Sequence, residues 1–263
     1  YQKAKAEQNV PQMMKAYLTM MAYRGEIAPD SIEVDRNYLK EWAEDKAASV
    51  VDKAVLHSIL AGLYIEQDFE KGNAYLHASL KDSLTLFEYP AGKLVPMVRV
   101  GAISRLYFDD NLYDLLAHRA IKLWRNNQWR VERTKVEQEI SKTYQTLLDH
   151  YEKTGKRSAW LLTVLDANPD ADEAKLRSWI KEYGDLDVCA EAYIRLAQRM
   201  AYEDNPAERM KVVREGIRRY PNYSRVNVLK NMEKEILSPD VRMTIPSAYP
   251  DKPIKVSVNY RNL

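Results

Sequence analysis

Most of the chain carries apolar residues at the three- and four-residue spacing of an amphipathic α-helix. In the stretch VCAEAYIRLAQRMAY, one apolar row with a step of four begins at Val188, and a second row begins at Cys189. Two adjacent rows of this kind lie on one face of a helix. The pattern therefore predicts a helix with a broad buried stripe, and the same spacing recurs from Tyr1 to about Leu237.

Short turn signals separate the helical segments. Asn205 can cap the helix whose first residue is Pro206, and Asp170 or Asp172 can cap the helix that follows them. Gly155 can end the helix that precedes it. The helical segments number roughly a dozen. Most of the loops between them are as short as those that usually join helix pairs, so we expect the helices to form antiparallel hairpins. One of the expected helices covers VPMVRVGAISRLYF, which begins at Val95.

The hairpin over residues 188–220 resembles a tetratricopeptide (TPR) unit. Small alanines occupy its first helix, an Asn-Pro pair forms its turn, and Tyr-Pro-Asn follows its second helix. Because the other pairs keep no strict register, the predicted fold is all-α, with antiparallel helical hairpins in a degenerate TPR-like stack and a short β segment at the C-terminus. Irregular α-α packing is the alternative.

The composition changes after Leu237. Four prolines surround two runs with the alternating pattern of strands, Val241–Ile245 and Ile254–Tyr260. We predict a TPR-like helical region over residues 1–237, followed over 238–263 by a linker and the first strands of a β-sandwich domain. The last run is expected to dock on the helices, to pair with the first run, or to pair with another copy of the chain.

Charge and composition exclude several classes of function. The 40 Lys and Arg against 38 Asp and Glu give a net charge of +2, which offers no strong attraction for a polyanion. The single cysteine excludes an internal disulfide framework and a multi-thiolate metal site. We find no apolar run of membrane-spanning length, no secretory signal and no nucleotide-binding or nucleophile-elbow motif.

Isolated ionisable residues suggest no catalytic or metal site. The four histidines are scattered, and the acidic group lacks the spacing of a calcium loop, so helix capping explains it more simply. These residues are His57, His77, His118 and His150, and Asp166, Asp170, Asp172 and Glu173. Cys189 lies in an apolar row and is expected to be a packed thiol. A second arginine group, which includes Arg209 and Arg225, is expected to be ordinary surface. The sequence therefore predicts no catalytic residue, no cofactor and no metal ligand.

A basic and aromatic segment is the strongest candidate for an interaction site. Basic residues beside aromatic ones can bind RNA, phosphate or an acidic protein surface. The competing interpretation is a solvated helix end whose tryptophans reach into the helical stack. The candidate patch consists of Arg119, Lys122, Trp124, Arg125, Trp129, Arg130 and Arg133.

Four stretches of the chain look like one known family. They are YQKAKAEQNVPQMMKAYLTMMAY, AVLHSILAGLY, LYDLLAHRAIKLW and the closing DKPIKVSVNYRNL. They resemble the N-terminal region of very large bacterial proteins of the alpha-2-macroglobulin family, in which a helical region leads into a string of β-sandwich macroglobulin domains. The resemblance covers essentially the whole chain, but it rests on packing patterns. Cys189 is followed by Ala190 and Glu191 and does not match the family's thioester motif.

The resemblance implies a non-enzymatic scaffold or interaction region of a protease-trapping inhibitor. Its implied partners are the downstream macroglobulin-like domains of the same polypeptide, with proteases or another envelope protein as partners of the intact molecule. The implied location is extracytoplasmic, in the periplasm or cell envelope, and no nucleic acid is expected. The alternatives are an independent helical-repeat adaptor, a nucleic-acid-binding module acting through the basic patch, and an enzyme whose site is assembled from distant helices.

Overall fold

The computed structural model describes residues 1–28, 30–94, 108–202, 205–245 and 256–261. Within these residues the chain forms thirteen α-helices and one small antiparallel sheet of two strands at the C-terminus. The predicted combination of helices with a short C-terminal β segment is therefore confirmed. The chain divides into two compact units, Tyr1–Ala167 and Asn168–Leu263. The sequence-based boundary near Ser238 stays a prediction.

The first unit contains nine helices in the residues described. Most helices pack against the next along the chain, whereas α5 packs against α4 and α7, and α7 also packs against α4. The helices are α1 (Gln2–Ala6), α2 (Val10–Ile27), α3 (Ser31–Glu44), α4 (Val50–Tyr64), α5 (Phe69–Leu80), α6 (Ser83–Glu88), α7 (Leu112–Asn127), α8 (Arg133–Thr154) and α9 (Arg157–Ala167). The helix expected over VPMVRVGAISRLYF lies outside the described residues except for its last residue, Phe108.

Local sequence signals account for several of these helix ends. The Asn9 side chain accepts a hydrogen bond from the Gln12 amide at the start of α2. Ser49 and Asp52 form a reciprocal capping box at the start of α4. Gly155 ends α8 in the left-handed conformation, with φ of 66°, as its position in the sequence predicts. These contacts satisfy backbone groups that a helix end leaves without partners.

Helices α4 and α5 approach each other closely at Gly72. A Cβ atom at this position would lie 2.5 Å from Cα of Ile65 and 2.8 Å from its backbone nitrogen. Both neighbouring atoms belong to the main chain, so rotation of a side chain would not relieve the clash. Only glycine allows the two helices to pack at this distance.

We expect Gly72→Ala to lower the free energy of unfolding by about 1–3 kcal/mol, because the backbones must separate to admit the methyl group. Urea denaturation followed by circular dichroism measures the effect. Gly25→Ala in α2 is the matched control, since its Cβ would meet Ile32 at an ordinary 3.6 Å. Alanine there should leave stability unchanged or raise it by about 0.5–1 kcal/mol. Equal unfolding midpoints for the two variants would contradict the close approach.

The second unit has four helices and the sheet in its described residues. The helices are α10 (Glu173–Glu182), α11 (Ala190–Arg199), α12 (Pro206–Arg219) and α13 (Val226–Leu237). Each packs against the next, and α11 also packs against α13. Asp172 caps α10 and Asn205 caps α12, as predicted. Most of the apolar face predicted for α11 is buried, including Tyr193 and, in the 3₁₀ turn just before the helix, Cys189, but Val188 is half-buried and Ala201 is exposed.

The two strands form an amphipathic sheet. Strand β1 (Asp240–Thr244) pairs antiparallel with β2 (Ser257–Arg261), so that Val241 lies opposite Tyr260 and Met243 opposite Val258. This confirms the expectation that the two runs pair with each other; Ile254 and Lys255, at the start of the second predicted run, lie outside the described residues. Side chains alternate across a sheet, so one face carries these four apolar residues. They are 45–71% exposed.

Candidate functional site

The candidate patch spans the end of α7, a 3₁₀ turn over Gln128–Arg130 and the start of α8. Its seven predicted residues do not form one continuous surface of free cations and aromatic rings. Trp124 points into the core, and Arg125 and Arg133 are paired with carboxylates. The structure thus divides the patch into a packed part and an exposed part.

Trp124 belongs to the core of the first unit. Its side chain is 1% exposed, and its indole N–H donates a 2.8 Å hydrogen bond to the Asn73 side chain on α5. It lies on the same buried face of α7 as Ile121. Trp124 therefore cannot stack on a base or a partner side chain, and for this residue the packing interpretation is correct.

Two of the predicted arginines have acidic partners within the chain. The Arg125 guanidinium lies 3.7 Å from the Asp166 carboxylate and donates to the Asp166 carbonyl at 3.2 Å. It also lies 5.6 Å from the centre of the Tyr144 ring. Arg133 pairs with Glu137 at 2.6 Å, one turn along α8. These contacts neutralise much of the positive charge that the sequence suggests.

The two basic residues earlier on α7 are exposed and separate from the turn. Arg119 carries its guanidinium beside Gly62, 3.0 Å from the place where a Cβ atom would stand. Lys122 is exposed one turn before the end of α7.

Trp129 and Arg130 form the exposed part of the patch. The Trp129 side chain is 72% exposed, and the guanidinium carbon of Arg130 lies 4.2 Å from the centre of its ring. This distance is well within the range of a cation-π contact. In the part of the chain that the structure describes, no carboxylate pairs with Arg130. The turn thus presents an aromatic ring and an uncompensated charge together.

The four histidines occupy different surroundings. His118 is nearly buried, with Nδ1 lying 2.6 Å from the Asp114 carboxylate, whereas His150 stacks flat on Phe87 at 3.6 Å. His77 lies 3.6 Å from Glu139, and burial lowers the pKa of His57. Among the described residues, no three His, Cys, Asp or Glu side chains are grouped to hold a metal ion.

Asp114 holds together a buried polar cluster that the sequence did not reveal. One carboxylate oxygen accepts hydrogen bonds from the backbone N–H groups of Phe108 and Asp109 at 2.5 and 2.6 Å, and the other faces His118. Burial alone would lower the pKa of His118, but the hydrogen bond and charge of Asp114 outweigh it, so the pKa is raised. The cluster fastens the segment before α7 to the helix.

The prediction of an ordinary arginine surface in the second unit is wrong for Arg209 and Arg225. Arg209 is buried and donates to the Ala197 carbonyl at 2.9 Å. Arg225 makes two hydrogen bonds, at 2.8 and 2.7 Å, to the carboxylate of Glu191, which also accepts one from Tyr223 at 2.8 Å. Glu191 is more than thirty residues away in sequence from both Tyr223 and Arg225, so helical spacing gives no signal for these contacts.

Cys189 is fully buried, as predicted for a packed thiol, and burial raises the pKa of its thiol. A raised pKa keeps the thiol protonated at neutral pH, and a protonated thiol is a poor nucleophile. Its position therefore offers no support for covalent chemistry.

No protein-family model, curated protein or solved structure matches this chain. Among the described residues, no helix combines the length and apolar character required to cross a bilayer.

Proposed function

We propose that this chain is a non-catalytic helical scaffold of an alpha-2-macroglobulin-like protein and that its small sheet attaches the helices to β-rich domains of the same polypeptide. In this proposal the helices form a degenerate TPR-like stack. The contact of α11 with both α12 and α13 supports it, because helical repeats pack against both the next and the next-but-one helix. Protease trapping would belong to the intact molecule, in the periplasm or cell envelope.

The exposed apolar face of the sheet is the observation that carries the proposal. Val241, Met243, Val258 and Tyr260 share this face, while Arg242 and Asn259 lie on the other. An isolated two-stranded sheet is marginally stable in water, and sheets of sandwich domains bury one apolar face against a second sheet. Apolar and polar side chains alternate along both strands, as packing of one sheet face against a second sheet requires.

Cysteine labelling of the two sheet faces tests the proposal. We would place a cysteine at Met243 on the apolar face, or at Thr244 on the polar face as the control, in the 263-residue chain and in the intact gene product. A thiol reacts with a maleimide only when it is accessible, so burial should slow labelling at position 243 by at least about tenfold in the intact product. Position 244 should label at similar rates in both.

Equal labelling of position 243 in the two proteins would contradict the scaffold proposal. It would show that no second sheet covers the apolar face, and it would favour an independent helical-repeat adaptor. The native thiol, Cys189, is buried and should label slowly in every protein, which provides an internal reference.

A further inference from the structure

We propose that Trp129 and Arg130 form a docking tip for an acidic protein segment in which an apolar side chain lies beside one or more carboxylates. The tip is the 3₁₀ turn over Gln128–Arg130. This inference goes beyond the scaffold role, because it concerns a surface of the first unit, whereas the sheet belongs to the second.

The tip displays the two side chains that most often dominate protein interfaces. Tryptophan and arginine are enriched among residues whose removal weakens a complex strongly. Here the ring of Trp129 is 72% exposed, and Arg130 lies over it with a separation of 4.2 Å. One face of the indole is thus held by the guanidinium, and the rest of the ring is available to a partner.

The turn that carries these side chains is fixed on both sides. Asn127, the last residue of α7, is buried and donates to the Leu123 carbonyl at 2.9 Å, and Trp124 is locked in the core one turn earlier. On the other side, Val131 is half-buried and packs against the core of the first unit. A preorganised site loses less conformational entropy on binding than a flexible one.

The chemistry of the partner follows from the groups that are free. The indole ring needs apolar contact, its N–H needs an acceptor, and the guanidinium of Arg130 matches a carboxylate in a two-pronged hydrogen bond. A segment with a leucine or aromatic residue next to Asp or Glu supplies all three. A neutral apolar segment would leave Arg130 desolvated without a partner charge.

The geometry favours a protein partner over RNA. Single-stranded nucleic acid is bound by several stacked rings along a track of free cations. Trp124 is buried, and Arg125 and Arg133 are paired with acids, so the described residues offer no track of stacked rings and free cations around the tip. One exposed ring and one uncompensated arginine fit a localised anchor.

Selection from a displayed random-peptide library tests the proposal directly, with the Trp129→Ala protein used to remove unrelated binders. We expect the enriched peptides to carry an apolar residue flanked by Asp or Glu. Fluorescence anisotropy measures the affinity for the best peptide. Trp129→Ala should lower this affinity by about thirtyfold and Arg130→Ala by about tenfold, as for the central residues of an interface.

Arg133→Ala is the matched control, because Arg133 is exposed and already paired with Glu137, and its effect should stay below about twofold. Thermal melts should show that the exposed-site variants keep the parent stability. The proposal is overturned if no peptide is enriched, if enriched peptides lack acidic residues, or if Trp129→Ala leaves their affinity unchanged. It is also overturned if a uridine oligonucleotide or phosphatidylglycerol vesicles bind the tip more tightly than the best peptide.

Discussion

Replacing Glu191 with glutamine should lower the free energy of unfolding by about 3–5 kcal/mol, the range found when one partner of a buried ion pair is removed. Glu191 is 2% exposed and accepts two hydrogen bonds from Arg225 and one from Tyr223. Glutamine keeps the shape of the side chain but turns one acceptor oxygen into an N–H donor. The guanidinium of Arg225 would then face a donor and lose its counter-charge.

Urea denaturation followed by circular dichroism measures this change. Glu233→Gln is the control, because Glu233 pairs with the well-exposed Arg214 at 2.8 Å and should contribute no more than about 1 kcal/mol. The double variant Glu191→Leu with Arg225→Met tests the cause. If the loss of stability in Glu191→Gln arises because the charge of Arg225 has no counter-charge, the apolar pair should recover a large part of the free energy of unfolding. A loss of similar size in the double variant would contradict this explanation.

Asp114→Asn is the second substitution with a large expected effect, about 3 kcal/mol, because it removes a buried charge that accepts two backbone hydrogen bonds and faces His118. The carboxylate binds the backbone N–H groups of Phe108 and Asp109 on one side and His118 on the other. Asparagine keeps one acceptor oxygen for the two backbone N–H groups, but its neutral amide group removes the negative charge beside the imidazole of His118. Asp149→Asn, which alters an exposed hydrogen bond to Gln145, should change stability by less than about 0.5 kcal/mol.

The pH dependence of stability provides an independent readout of the same cluster. The pKa of His118 is raised in the folded protein. Its contribution is therefore complete below the unfolded pKa of about 6.5 and is lost as the pH rises through the folded value. Asp114→Asn should flatten this part of the profile, whereas Asp149→Asn should retain it. Identical profiles for the two variants would contradict the assigned role of Asp114.

The helices and several of their ends were predictable because the signals are local. The rows that begin at Val188 and Cys189 lie within one helix, and Asn205, Asp172 and Gly155 act on backbone groups a few residues away. The sheet was predictable for the same reason, since alternation is visible within each strand. A period in the sequence reports which side of an element is buried without naming the element that covers it.

The candidate site was predicted only in part, because composition does not distinguish free side chains from paired ones. The segment around Trp124 and Trp129 contains two tryptophans that look equivalent in sequence, yet one is in the core and the other is exposed. The indole N–H of the buried Trp124 donates to Asn73, which is fifty-one residues away in sequence. The Glu191 cluster was missed because its partners are more than thirty residues away in sequence. The Asp114 cluster was missed although its partners lie within six residues, because two of them are backbone N–H groups, which the residue type does not reveal.

The pairing of the two strands makes the C-terminal sheet sensitive to whether an odd or an even number of residues is inserted in a strand. Its faces are defined by opposed residues, such as Met243 and Val258, and each step of one residue along a strand moves a side chain to the opposite face. Insertion of one residue within β2 would therefore mix the polar and apolar sides, whereas insertion of two would preserve them. Insertions and deletions that persist within these strands are therefore expected to contain an even number of residues.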